Sequence, residues 1–279
     1  MVKTLQFRTL MKYFQGVAIS SIVVFSHLAF AIVGGNLPSP ADPTARSTVI
    51  LFKFDPDKQM TSSRCSASLI AKDLLVTAAH CLFPDHYSNK NQLPPRNLIA
   101  YLGGYVASEG LMPSKIVHVK EVRVHPGYTA SFKIAHEERK DIALVKLERD
   151  VDLGFSPAAI LDPTISLLKF QSPLVGGYGD TAIPTQIPGG TYYIYNNYFV
   201  DLAPYEGGSM VELIGPHNKG GYEGDSGGPA YLDDHGKLKL WGVFSAYVFD
   251  QGEADYEDLR ASLTWITFAS ASLGSPVTF

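Results

Sequence analysis

Ser226 lies in Tyr222-Glu223-Gly224-Asp225-Ser226-Gly227-Gly228-Pro229, flanked by three glycines and preceded by an aspartate. Backbone of that composition turns sharply, so it presents the hydroxyl and lets neighbouring N–H groups converge on one point. A presented hydroxyl becomes a nucleophile when a base takes its proton, a further group orients that base, and donors meet the oxyanion that forms. Candidates for these roles stand upstream. His80, in Thr77-Ala78-Ala79-His80-Cys81, follows a strand-like run and offers an imidazole. Asp141 precedes the apolar Ile142-Ala143-Leu144, so its carboxylate is expected to be drawn inward, where it would fix the imidazole tautomer. A lone histidine is more often structural, and a lone aspartate is usually a solvated surface charge. Three such strings in one chain point instead to hydrolysis through an acyl-enzyme.

The string Gly224-Asp225-Ser226-Gly227-Gly228-Pro229 and the two upstream strings, in the order His, Asp, Ser, resemble the chymotrypsin/trypsin family of serine endopeptidases. The resemblance runs from Ile32 to the segment containing Trp265. It implies an all-β fold of two antiparallel β-barrels with the active site in the cleft between them and a C-terminal helix. It further implies catalytic roles for His80, Asp141 and Ser226, with an oxyanion hole made by the N–H groups of Gly224 and Ser226. Ser245 matches the serine that supports the triad aspartate. Ile32-Val33-Gly34-Gly35 matches the segment whose new N-terminal amine pairs with the aspartate before the nucleophile, here Asp225. Relatives usually carry a basic residue before that isoleucine, whereas this chain has Ala31. Signal removal after Ala31 is therefore expected to create the Ile32 amine, making export and activation one event.

The elements that must position these groups are short strands. Thr48–Phe54, Ser66–Ile70, Leu74–Thr77, Asn97–Leu102, Ile116–Val124, Ile142–Leu147, Leu174–Gly177, Tyr192–Val200 and Leu238–Ser245 are rich in β-branched and aromatic residues. Ala71-Lys72-Asp73 reads as a tight hairpin link. Leu259, Leu263 and Ile266 change to helical spacing, with Gly274 and Pro276 as stop signals. From composition alone the strands fit barrels or a sandwich; the resemblance selects barrels, at about 32–160 and 161–279, with the boundary near 155–165. The Tyr-rich stretch 182–220 follows no familiar pattern.

The 279 residues, 46% hydrophobic, can bury a substantial core. Lys3, Arg8 and Lys12 lead into an apolar run from Gly16 to Phe30, and Ala29-Phe30-Ala31 fits a small-x-small cleavage site, so residues 1–31 read as an export signal. An uncleaved anchor is the alternative, although a run of about 15 apolar residues is short for a bilayer. The remaining chain carries 20 basic and 27 acidic residues, a charge of −7, after three of the 23 Lys and Arg leave with the signal. With no basic cluster, nucleic acid is disfavoured as a partner. The expected setting is secreted or periplasmic, as a monomer acting on proteins or peptides, without stable membrane association. Cys65 and Cys81 are the only cysteines, and in an exported chain they most simply form one disulfide. The family has a disulfide in this relation to its catalytic histidine. Eight histidines show no HExxH or Cys/His ligand spacing, and residues 103–115 hold one carboxylate, Glu109, so no metal and no cofactor are expected.

By the resemblance, Gly220 floors the primary pocket, so no carboxylate waits there for Lys or Arg. Tyr247, two residues after Ser245, would narrow the pocket mouth opposite Ala254, which favours small aliphatic P1 side chains. Entry of Glu253 or Asp255 would select a basic P1 instead, and an outward Tyr247 would admit an aromatic one. Glu223, beside the oxyanion hole, would repel acidic residues near the scissile bond. Two other readings are a catalytically silent homologue that binds proteins and an esterase with the same triad.

Overall fold

The computed structural model describes residues 32–39, 41–85, 89–104, 109–130, 139–152, 154–169, 171–180, 190–196, 198–201, 208–277 and 279. The export-signal reading of residues 1–31 lies outside the described residues. Among those described, no helix is long and apolar enough to cross a membrane.

Thr48–Asp55 (β1) alternates with period two between two apolar environments. Val49 and Leu51 point into the main core, while Ile50, Phe52 and Phe54 join Tyr101, Tyr178 and Tyr192 in a second cluster. A strand buried on both faces needs neighbours on both edges. Met60–Ala71 (β2) supplies one, and Leu98–Tyr101 (β4) supplies the other through pairs such as Ile50 with Tyr101. Leu74–Thr77 (β3), Ile116–Val124 (β5) and Ala143–Leu147 (β6) complete a closed barrel in the order β1-β2-β3-β6-β5-β4. Closure leaves no free edge.

The second half is a seven-stranded curled sheet made of Leu174–Gly177 (β7), Tyr193–Tyr195 (β8), Phe199–Asp201 (β9), Met210–Ile214 (β10), Pro229–Asp234 (β11), Lys237–Val248 (β12) and Glu253–Asp258 (β13). Its order is β8-β7-β11-β12-β13-β10-β9. It curls around Tyr198, Trp241, Phe244 and Tyr256, all fully buried. The fold is thus all-β, a closed barrel beside a half-barrel, with one C-terminal helix, Leu263–Ser272 (α1).

The single strand expected over Tyr192–Val200 is two strands on opposite edges of the sheet, β8 against β7 and β9 against β10. The chain must cross from one edge to the other, and the Tyr195 and Tyr198 rings, 5.1 Å apart, pack at the crossing. Strands β10, β11 and β13 were not expected. Four of the six residues of β13 are carboxylates, a composition that strands normally avoid.

The linking segment and the C-terminal helix both tie the halves together. Ser156 N–H donates to Arg46 C=O and Ala158 N–H to Leu69 C=O in the first half, and Leu161 N–H then donates to Leu240 C=O in the second. Helix α1 is entered through a 3-10 turn, Leu259–Ser262, where the Asp258 carboxylate accepts from Arg260 N–H at 2.9 Å. Ile266, Ala269 and Leu273 then pack into the core of the first barrel, and Lys146 of β6 is held by Asp73 and Ser275.

Candidate active site

Strand β3 delivers the chain to a 3-10 turn, Ala79–Leu82, in which His80 is only 4% exposed. Cys81 of this turn is bonded to Cys65 of β2, with Cα atoms 6.2 Å apart. The staple closes a loop of 16 residues in sequence separation. Replacing both cysteines by serine is expected to cost about 3 kcal/mol of folding stability, read as a lowered urea midpoint. An unchanged midpoint would show that packing alone fixes the turn. Cys65, His80 and Cys81 are close enough together to suggest a metal, but both sulfurs are spent in the disulfide.

Asp141 enters β6 from the other side of the turn and is fully buried. Its Oδ2 accepts from His80 Nδ1 at 2.7 Å and from Ser245 Oγ at 2.6 Å, and its Oδ1 accepts from His80 N–H at 2.9 Å. Burial is the largest influence and pushes this carboxyl upward, but His80, Ser245 and the Arg139 guanidinium outweigh it and hold the group down at about 2. An ionised carboxylate only accepts, so Nδ1 carries the hydrogen and Nε2 is left as the basic nitrogen.

Ser226 stands in a turn locked into both halves. Its carbonyl accepts from Ser66 N–H of β2 at 2.7 Å, and Gly227 N–H donates to Phe244 C=O of β12 at 2.8 Å. Gly227 has φ +79°, and a Cβ there would lie 2.1 Å from Thr77 Oγ1 and 2.3 Å from Ser66 C=O, so only glycine lets the turn dock. Gly224 has φ +90°, which turns the backbone ahead of Ser226. Among the described residues the N–H groups of Gly224 and Ser226 have no protein acceptor.

Asp225 points away from this surface and is 1% exposed. It accepts from Gly179 N–H at 2.7 Å and Tyr222 N–H at 2.9 Å, yet burial pushes its carboxyl up to about 7. Val33 and Gly220 exchange both backbone hydrogen bonds at 2.8 Å, which carries buried Ile32 into the second core.

His80, Ser226, Ser245, Tyr247, Glu223 and Gly224 line one cavity of about 620 Å³ between the halves. Gly220, Glu253 and Asp255 do not line it. The Tyr247 ring packs 5.3 Å from Tyr222 and 6.1 Å from Phe244. Six further lining residues were not anticipated: Ser62, Ser63, Arg64, Arg139, Asp180 and Ala246. Arg64 of β2 pairs with Asp180, beyond β7, and its Nε donates to Tyr178 C=O at 3.2 Å, bridging the cleft near Gly224. No local spacing signals such a pair, because its partners are 116 residues apart.

Residues 45–266 match the family model described as Trypsin. Over 273 residues, 90% of this chain and 99% of the relative, the sequence is 24% identical to Trypsin alpha of Drosophila melanogaster. It is 26% identical to Chymotrypsin-like elastase family member 1 of Macaca fascicularis over 226 residues, 75% of this chain and 79% of that one. Trypsin of Phaedon cochleariae is 28% identical over 180 residues, 61% of this chain and 64% of the relative. Since the family model spans most of the chain and the fold agrees with it, this chain belongs to the trypsin family and is a serine endopeptidase.

Proposed function

We propose that hydrolysis runs through a Ser226–His80–Asp141 triad and an acyl-enzyme, in an exported protein that prefers small aliphatic P1 residues. The observation that carries this reading is the Asp141 carboxylate, buried and shared by His80 Nδ1 and Ser245 Oγ on the wall of the cleft that Ser226 also lines. His80 Nε2 takes the Ser226 hydroxyl proton as Oγ attacks the scissile carbonyl, and the resulting oxyanion is met by the Gly224 and Ser226 N–H groups. The imidazolium then gives its proton to the departing amine. Water, deprotonated by the same imidazole, releases the acyl group. An organophosphonate that labels Ser226, together with faster cleavage of peptides than of simple acyl esters, would support this mechanism. Absence of labelling would refute it.

Specificity follows from what narrows the cleft. Tyr247 stands on its wall with its ring packed against Tyr222 and Phe244, and neither Glu253 nor Asp255 lines it. Across peptides varied at P1, Ala and Val are expected to exceed Arg, Lys and Phe by tenfold or more in kcat/KM, about the discrimination that a few methylenes of misfit produce. Efficient cleavage only after Arg or Lys would reverse this assignment.

We further propose that removal of residues 1–31 frees the Ile32 amine to pair with Asp225. The support is a carboxyl buried without a cation bonded to it among the described residues, next to the turn that presents Ser226.

A further inference from the structure

Glu257 is a carboxyl for which neither the fold nor the triad accounts. It lies on β13 between Val243 of β12 and Met210 of β10, and it is fully buried. Its Oε2 accepts from the backbone N–H of Asp141 at 3.2 Å and from Ser209 Oγ at 3.3 Å. Its Oε1 has no hydrogen-bond partner among the described residues. Neither strand flanking it contributes a charge at the paired positions. From the segment leading into β6 it is faced by two charged residues, Lys140 and Asp141, with His80 beyond Asp141. A second buried carboxyl therefore stands directly behind the one that orients the imidazole.

A buried carboxylate that lacks a bonded cation and lies beside another carboxylate is costly, so the group lowers its energy by keeping its proton. Burial, the larger cause, and the nearby Asp141 charge raise it to about 8, with Lys140 opposing. Protonated, it still accepts the Asp141 N–H through a lone pair of Oε2.

We propose that Glu257 is a positioning residue, a neutral acid at pH 7 that fixes the backbone of Asp141 and, on ionising, makes His80 a stronger base. When Glu257 loses its proton, a new negative charge behind Asp141 favours the imidazolium that develops on His80 as Ser226 attacks. At the effective dielectric of a protein interior, and with only part of the imidazolium charge developed in the transition state, acylation is expected to rise on the order of threefold through this step. Loss of the Ile32 ammonium at higher pH acts in the opposite direction, because it removes the partner of Asp225.

This inference rests on the triad reading, and one measurement separates the two. The rate of Ser226 labelling by an organophosphonate is followed against pH in the mature enzyme, in Glu257→Gln and in Glu257→Leu. The expected result is a two-step rise in the wild type, with the second step near pH 8. In Glu257→Gln, which keeps an acceptor but cannot ionise, only the lower step remains. In Glu257→Leu, which has no acceptor for the Asp141 N–H, the rate falls at every pH, and comparison with Gln reads the positioning role. No labelling at any pH overturns the triad itself. Labelling with a single step that superposes on Glu257→Gln overturns the proposal for Glu257 while leaving the triad standing. Infrared difference spectra between pH 6 and 10 give a second readout: a protonated-carboxyl band must disappear with its midpoint near 8 in the wild type and be missing from Glu257→Gln, which separates it from Asp225. If no such band is lost, Glu257 does not change protonation in this range and the inference fails.

Discussion

Replacing Ser226 by alanine is expected to lower kcat by on the order of a millionfold, the scale seen when a triad acting as a unit loses its nucleophile. Folding should be untouched. The bonds that dock this turn are made by the Ser226 carbonyl, Gly227 N–H and Gly228 N–H, none of which uses the hydroxyl. Thermal unfolding within about 1 °C of the wild type would therefore accompany the lost activity, since surface-like truncations of this kind rarely exceed half a kcal/mol. His80→Ala should cost a comparable amount, and the double variant should be no worse than either single one, because each group acts only through the other. Residual activity within a hundredfold of wild type in Ser226→Ala would mean that another group attacks the substrate.

The second large effect is expected at the other end of the chain. In a protein still joined through Ala31, Asp225 has burial pushing its carboxyl up to about 7, against two backbone N–H donors. A carboxyl raised above its unfolded value binds its proton more tightly when folded. Stability is then greatest below pH 4 as far as this group is concerned, declines as pH rises to about 7, and is level beyond. A shift of this size corresponds to a loss on the order of 4 kcal/mol across that window. Once the Ile32 ammonium lies beside Asp225, the carboxylate is matched and the decline should vanish.

Denaturant midpoints from pH 4 to 8 test this, measured on the uncut chain and on the chain beginning at Ile32, both carrying Ser226→Ala to prevent self-cleavage. In the active background, acetylating the Ile32 amine should reduce kcat/KM by about 10²-fold or more, as expected from breaking a buried ion pair. Equal midpoints at every pH, or full activity with a blocked amine, would remove Ile32 from the mechanism. Asp225→Asn supplies the control: it should flatten the pH dependence of the uncut chain without needing any amine.

How much of this was readable in advance differs between the two halves of the molecule. In the first barrel, β3 and β5 were bounded correctly from residue types alone, because their apolar runs are closed by a tight hairpin, a 3-10 turn or a polar loop. In the second sheet, β13 was missed because Glu253, Asp255, Glu257 and Asp258 make it look like a solvated loop. Neighbouring strands tolerate those carboxylates for individual reasons. Asp258 is engaged by Arg260, and Glu257 receives the Asp141 and Ser209 donors. The same mismatch between local propensity and final environment marks Glu257 as worth explaining.

Residues within a few positions of one another carry information in their order. Glycines around Ser226, the cysteine next to His80 and the apolar run after Asp141 each impose a local backbone shape, and that shape was legible without coordinates. Which side chains meet across the chain depends on strand register and on how the two sheets pack. Register is set cooperatively by every pair in a ladder, so no local string encodes it. The Arg64–Asp180 bridge, the Tyr222–Tyr247 contact and the carboxyl of Glu257 behind Asp141 were accordingly decided only when the sheets came together.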